Sequence, residues 1–329
     1  MTPGGMRPAA GAAAPDWGPS ATLETLKARA ELLSSIRAFF SARGVMEVDT
    51  PILSRSATVD RHIESFATLP PHKLFLHTSP EFAMKRLLAA GSGPIYQLSH
   101  VFRAEEAGRN HNPEFMLLEW YRPGWDHRQL MDEVQELVRS LAPGLPEFER
   151  RSYAEVFRAG TGLDAHGATL AELKQSARGF GLAAPTDQSE DRDFWLDLWM
   201  GLAIGPTLGK DAPLFVYDFP ASQAALARIR PGSPPVAERF ELFWQGRELA
   251  NGFHELLDAG EQQRRFEADR AWRNSQKRAA PPYDRNLIAA LQAGLPACAG
   301  VALGVDRLLM LMLGLDNISQ AMPFGILRA

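Results

Sequence analysis

One cysteine, Cys298, stands in 329 residues. A lone cysteine excludes an internal disulfide and any multi-cysteine zinc site, and it suits a reducing, cytoplasmic setting. No apolar run approaches the ~20 residues of a membrane-spanning helix, so no membrane partner is expected. No cluster of Lys and Arg stands out either. With 35 basic against 39 acidic residues the net charge is −4, which gives no general attraction for nucleic acid phosphates or anionic lipid. The first 20 residues lack the Leu/Val-rich core of a signal peptide and are rich in Ala, Gly and Pro. They are expected to form a disordered lead, with residues 21–329 as one domain.

The rest of the chain alternates clear helical and strand patterns. Leu23, Leu26, Leu33, Ile36 and Phe40 recur at helical spacing, and Gly44 supplies a cap. A short strand (45–50) runs into Pro51, and another (73–77) precedes Ser79-Pro80-Glu81. Ser as N-cap, Pro at the first helical position and an acid in the first turn start a helix that ends at Gly91. A hairpin spans 95–121. Helices are predicted over 126–141, 153–159, 169–179 and 192–202, then a strand over 214–219 and a hairpin over 239–253 turning at Gln245-Gly246. Helices 261–277 and 286–293, a strand over 297–303 and a helix from Val305 complete the chain. Strands that come in hairpins and helices that come in blocks predict an α+β domain, an antiparallel sheet flanked by helices.

Both hairpins carry charges that a solvent-facing strand does not require. In FRAEEAGRNHNPEFMLLEWY (102–121), alternation puts Met116, Leu118 and Trp120 on a core face. Phe115, Leu117, Glu119 and Tyr121 share the other face, with Arg103 and Glu105 in the first strand. That face is either solvent-exposed or the wall of a pocket. In ERFELFWQGRELANGFHEL (238–256), a two-residue turn makes Glu241 and Glu248 diagonal neighbours about 7–8 Å apart. They are two surface acids, or a pair that holds Mg²⁺ against a phosphate. Asn251, Phe253 and Glu255 fall on the face opposite Glu248 unless the strand bulges, and Gly252 marks a place for a bulge. In GVALGVDRL (300–308), glycines at a strand-to-helix junction allow close approach of an anion to a helix N-terminus that carries Arg307.

In this order the segments resemble the three motifs of class II aminoacyl-tRNA synthetases: a helix-strand unit ending at Pro51, FRAEE with its loop and EFMLLEWY, and GVALGVDRL. TSPE, HNPEF, LEWY and ELANGFHEL are similar to lysyl-tRNA synthetase in particular, from about residue 22 onward. Those enzymes carry an N-terminal OB-fold before the first motif, whereas here only the short lead precedes the first helix. The chain therefore resembles the stand-alone paralogues that attach a lysine-type amino acid, (R)-β-lysine, to elongation factor P. Ala104 stands where the family commonly has Asn.

The resemblance implies an antiparallel class II catalytic domain, a homodimer, and ATP with Mg²⁺. Arg103 would contact the α-phosphate, and Arg307 the γ-phosphate and one adenine face, with Phe115 on the other. Glu105 and Asn112 would orient adenine beside Leu249 and Gly304, and Glu241 and Glu248 would hold Mg²⁺. Glu119, Tyr121 and Glu255 would receive the side-chain ammonium. Glu81, with Ser79 and Pro80, would meet the backbone amine; Asn251, Phe253 and Ala302 would complete the walls. Three other readings stand beside this one. A truncated tRNA-charging enzyme is opposed by the acidic net charge, which makes tRNA an unfavoured partner. A non-catalytic amino acid sensor is opposed by the retained arginines. An asparagine-synthetase-like enzyme is opposed by three carboxylates that would repel aspartate.

Overall fold

The computed structural model describes residues 17–182 and 190–329. Its first helix, α1 (Leu23–Ser41), starts at Thr22, whose hydroxyl accepts the Thr25 N–H at 3.2 Å. Two-residue strands β1 (Met46–Glu47), β2 (Leu53–Ser54) and β3 (Phe75–Leu76) follow, then α2 (Glu81–Ala89) and the hairpin of β4 (Ile95–Phe102) and β5 (Glu114–Pro123). Next come α3 (His127–Leu141), β6 (Glu149–Ser152), α4 (Tyr153–Thr161), α5 (Leu170–Phe180) and α6 (Arg192–Trp199), which continues through a π-helical turn. The remainder is β7 (Leu214–Pro220), β8 (Ile229–Arg230), the hairpin of β9 (Val236–Trp244) and β10 (Arg247–His254), α7 (Ala259–Ser275), α8 (Arg285–Gly294), β11 (Cys298–Gly304) and α9 (Val305–Met312).

The main sheet runs β1-β4-β5-β11-β10-β9-β7-β6, with β8 added on β9. Its interior pairs are antiparallel, as predicted. The two edge pairs, β1 with β4 and β6 with β7, are parallel, which the sequence reading did not anticipate. One face is sealed by α1, α3 and α9. Ile36, Phe40, Leu118, Trp120, Leu130, Leu242 and Leu308 are fully buried there. The other face carries two separate apolar clusters. One, under α4 to α6, includes Phe157, Trp195 and Phe219. The other, under α2 and α8, includes Met84, Leu88, Leu287 and Cys298. The sheet between them is left open, and the cleft forms there.

Residues 1–16 of the expected lead lie outside the described residues. Its last part is not free, which corrects the boundary at residue 20. The Ser20 N–H donates to the Pro323 carbonyl at 2.8 Å, and the Arg328 guanidinium donates to the Pro19 carbonyl at 2.9 Å. Among the described residues no helix is long and apolar enough to cross a membrane.

Candidate active site

The ladder of β4 and β5 pairs Val101 with Phe115, Ser99 with Leu117, Gln97 with Glu119 and Ile95 with Tyr121. Phe115, Leu117, Glu119 and Tyr121 all face a cleft of about 1020 Å³, while Leu118 and Trp120 lie in the core. The period of two thus sorted this hairpin correctly. It fails at the end of β4. The chain leaves the ladder after Phe102, because the Ala104 N–H turns to the Glu64 carbonyl at 2.9 Å. Arg103 still lines the cleft, its guanidinium carbon 5.1 Å from the Phe115 ring centre. Glu105 does not. It is exposed, accepts a hydrogen bond from Arg278 at 3.0 Å, and is absent from the wall; Glu106, 3.3 Å from Arg103 Nη1, takes the cleft position. Ala104, which stands where the family commonly has Asn, sits half-buried in this turn.

The second hairpin pairs Glu248 with Phe243 as expected. The extra residue is Leu249, not Gly252. After it Ala250 pairs with Leu242 and Asn251 with Glu241, so Glu241, Asn251, Phe253 and Glu255 face the cleft together. Gly252 has a different cause: a Cβ there would lie 2.4 Å from Phe240 Cζ, so it makes room for a buried ring. Glu241 is buried and carries Arg239 Nη2 at 2.5 Å, whereas Glu248 is exposed. Burial and the charge of Glu248 push Glu241 up to about 7. Asn251 lines the cleft, and its Oδ1 is buried without a hydrogen-bond partner among the described residues.

β11 lies between the two hairpins. Ala302 pairs with Glu119 on one side and Asn251 on the other, and it lines the cleft. At Gly300 a Cβ would fall 2.3 Å from Tyr121 Cε1 and 2.6 Å from Glu255 Oε1, so glycine leaves space for the pocket side chains. Gly304 caps α9, and Arg307 in its first turn donates to the Glu248 carbonyl at 2.5 Å. Burial lowers the pKa of Arg307. The helix start is pinned by Asp306, which the sequence reading missed. This buried carboxylate pairs with Arg29 and accepts the Met116 N–H at 2.6 Å.

At the other end three carboxylates converge. Pro80 is the cap and Glu81 the first residue of α2, one position later than predicted. Ser79 Oγ accepts the Glu81 N–H at 3.0 Å and donates to Glu119 Oε2 at 2.7 Å; the Tyr121 hydroxyl donates to Glu119 Oε1 at 2.7 Å. Burial, with the Glu81 charge beside it, pushes Glu119 up to about 7. Burial likewise pushes Glu255 up to about 8, against the opposing field of Lys85. Lys85 was not singled out from the sequence. Its position four residues after Glu81 on a helix was the available signal. Its Nζ lies 2.7 Å from Glu81 Oε1 and 2.5 Å from Glu255 Oε2. Asn112 lines the cleft, but its amide already donates to the Glu114 carbonyl at 2.6 Å and accepts the Ile326 N–H at 2.9 Å. Every other predicted site residue also lines the cleft, Glu105 excepted.

A second group, His127 with Glu238 of β9 and His254 of β10, lies on the face of the sheet opposite Glu241 and Phe253, with ligand atoms within 4.8 Å of one another. Arg228 and Arg230 each stand 3.2 Å from a Glu238 oxygen, and Arg230 binds Asp218 at 2.5 Å. Guanidinium groups thus already neutralise its carboxylates.

Residues 16–328 match the family model described as tRNA synthetases class II (D, K and N). The chain belongs to this family. Among curated relatives, the class II synthetase is 50% identical over 320 residues to the elongation factor P–(R)-β-lysine ligase of Vibrio vulnificus strain YJ016, covering 94% of this chain and 99% of that one. It is 51% identical over 321 residues to the protein of that name from Vibrio cholerae, covering 95% and 99%. The Pasteurella multocida protein of that name is 49% identical over 321 residues, covering 95% and 98%.

Proposed function

We propose that this class II synthetase is an ATP-dependent ligase. It activates a lysine-type amino acid, (R)-β-lysine, as the adenylate and transfers it to a lysine side chain of elongation factor P. The observation that carries this reading is a single cleft with two arginines, Arg103 and Arg307, at one end and Glu81, Glu119 and Glu255 at the other. A buried cluster of acids suits a substrate with two ammonium groups, whose desolvation it offsets. The names of the relatives, matched over nearly their whole length, supply the acceptor.

In the first step a substrate carboxylate oxygen bonds to the α-phosphorus and pyrophosphate leaves. In the second the acceptor amine attacks the acyl carbon and AMP leaves. Arg103 would meet charge developing at the α-phosphate, and Arg307 would hold the γ-phosphate and cover adenine opposite Phe115. Glu119 with Tyr121, and Glu255, take the distal ammonium; Glu81 takes the amine near the reacting end; Asn251 offers its unpartnered amide oxygen. The donors at the phosphate end fit a hard cation. Glu241 is raised by burial and by the charge of Glu248, and a metal between the two carboxylates would relieve their repulsion. Mg²⁺ held by Glu241 and Glu248 would neutralise phosphate charge.

The apolar side chains Met46, Ile52 and Leu53 are exposed beside the β1 edge, which suits a homodimer contact. A net charge of −4 and a lone buried cysteine suit a cytoplasmic enzyme that acts on a protein rather than on tRNA. The test is pyrophosphate exchange with each lysine isomer, followed by transfer to elongation factor P and to tRNA. Exchange with (R)-β-lysine and labelling of the factor are expected. Efficient charging of tRNA with no labelling of the factor would reverse the reading.

A further inference from the structure

Lys85 is a buried lysine that does not line the cleft, yet it touches two of the three carboxylates that do. Its side chain is 2% exposed, and α2 carries it one turn beyond Glu81. Water cannot solvate this ammonium, so its charge is sustained by Glu81 at 2.7 Å and Glu255 at 2.5 Å. Burial alone would depress its pKa; the two carboxylates outweigh that and hold it above the ordinary lysine value. The field of Lys85 acts on both Glu119 and Glu255 and lowers the pKa of each.

We propose that Lys85 is the resident cation of the amino acid pocket, a positioning residue that fixes Glu81 and Glu255 and sets the charge the substrate must complete. Once all three carboxylates are ionised, three against one ammonium leave two negative charges, which match the two ammonium groups of a diamino acid. This inference rests on the reading of the cleft as a lysine-type amino acid site. Lys85 does not touch the substrate; it acts by lowering the pH at which Glu255 ionises and by holding that carboxylate in place. Glu81 from α2, Glu119 and Tyr121 from β5 and the Cys298 thiol from β11 also face Glu255, and α7 brings a second cation to this wall, Arg265, whose guanidinium is held by the carbonyl of Ala227, the residue bridged to Glu255. Glu255 Oε1 is buried and has no hydrogen-bond partner among the described residues, an acceptor left unsatisfied in the ligand-free pocket.

Removal of the Lys85 charge leaves Glu255 protonated to higher pH, and the ammonium then meets a neutral acid. The test is amino acid-dependent pyrophosphate exchange across pH 6–10 in the unaltered protein, Lys85→Met and Lys85→Arg. For Lys85→Met we expect KM for the amino acid to rise about 10-fold or more near neutral pH, the scale of one lost pKa unit. The kcat should change far less, and kcat/KM should recover on the alkaline side. Lys85→Arg, which keeps the charge, should leave the profile in place. A folded Lys85→Met with the KM and pH profile of the unaltered protein overturns the assignment. Should Lys85→Met not fold, Lys85→Arg decides: an unshifted profile supports the assignment, and an alkaline shift overturns it. Absence of exchange with every lysine isomer in the unaltered protein takes down both this inference and the functional reading, whereas indistinguishable Lys85 variants in an active enzyme take down this inference alone.

Discussion

Asn251 lies directly opposite Glu241 across β9 and β10, because Leu249 is an extra residue on its strand. Without that residue, strict alternation would turn Asn251, Phe253 and Glu255 away from the face that Glu248 occupies. The bulge therefore joins the metal-binding end of the proposed site to its amino acid end. Its side chain is spent in the core, where Leu249 is 2% exposed.

Arg103→Ala and Arg307→Ala should each lower adenylate formation by about 10²–10³-fold, since each removes a donor aimed at developing phosphate charge. Neither side chain belongs to an apolar cluster, so the melting temperature should stay near that of the unaltered protein. Near-native pyrophosphate exchange in either variant would refute the clamp.

Glu241→Gln and Glu248→Gln should weaken Mg²⁺ in the presence of ATP while leaving no measurable metal binding to lose in its absence. Two carboxylates are a poor site for an ion that keeps several waters. Titration calorimetry with and without a non-hydrolysable ATP analogue checks this. Tight Mg²⁺ binding to the ATP-free enzyme would contradict it.

The pocket acids predict a pH dependence. Glu119 titrates at about 7 and Glu255 at about 8, so both gain charge as the pH rises from 6 to 9. An ammonium binds the ionised forms, so kcat/KM for the amino acid should increase over that window. The effect on stability runs the other way. A carboxyl raised above its unfolded value favours the folded state below that value, and this contribution is lost as the pH rises through 7 and 8. The ligand-free protein should accordingly melt at lower temperature at pH 8 than at pH 6 as far as these groups contribute, and the amino acid should recover part of the difference. A kcat/KM that falls between pH 6 and 9 would refute the assignment.

Ala302→Gly should raise activity with α-lysine relative to (R)-β-lysine. The Ala302 side chain is a methyl on the cleft wall between Glu119 and Asn251, and on the proposed reading it narrows the pocket in which the two isomers must be told apart. A clash of this size shifts selectivity by about 10- to 200-fold. Equal kcat/KM for the two isomers in the unaltered protein would show that the methyl selects nothing.

Gly252→Ala should destabilise the fold by about 1–3 kcal/mol, the usual cost of forcing an extra carbon into a filled core, because its Cβ would meet the Phe240 ring at 2.4 Å. Thermal unfolding checks this, and an unchanged melting temperature would show that the ring moves aside freely.

Much of this was legible from period and punctuation. Alternation along 115–121 separates Glu119 and Tyr121 from Leu118 and Trp120, and Gln245-Gly246 fixes the turn of the second hairpin. The two-residue strand β1 has no period to detect, and its parallel pairing with β4 is decided by distant packing. A glycine inside a strand signals either a bulge or a close neighbour. Only the position of Phe240 distinguishes them, so the bulge was placed three residues too late. Glu105 and Glu106 are adjacent acids, and which one faces the cleft depends on a hydrogen bond to Glu64, about 40 residues upstream in a loop whose conformation no local pattern fixes. Lys85 looked like an ordinary helical lysine, because its burial is a property of the two elements that close over it.

Cys298 lies at the foot of β11 beside Glu255, fully buried, with its thiol pushed up to about 12. The thiolate is the form that alkylating dyes attack, so the native chain offers such reagents nothing at ordinary pH. A cysteine introduced at the cleft rim would then be its one reactive thiol. Leu202, which lines the cleft and is 58% exposed, is such a position. A fluorophore there would follow the filling of the site in real time, on an enzyme whose own cysteine never had to be replaced.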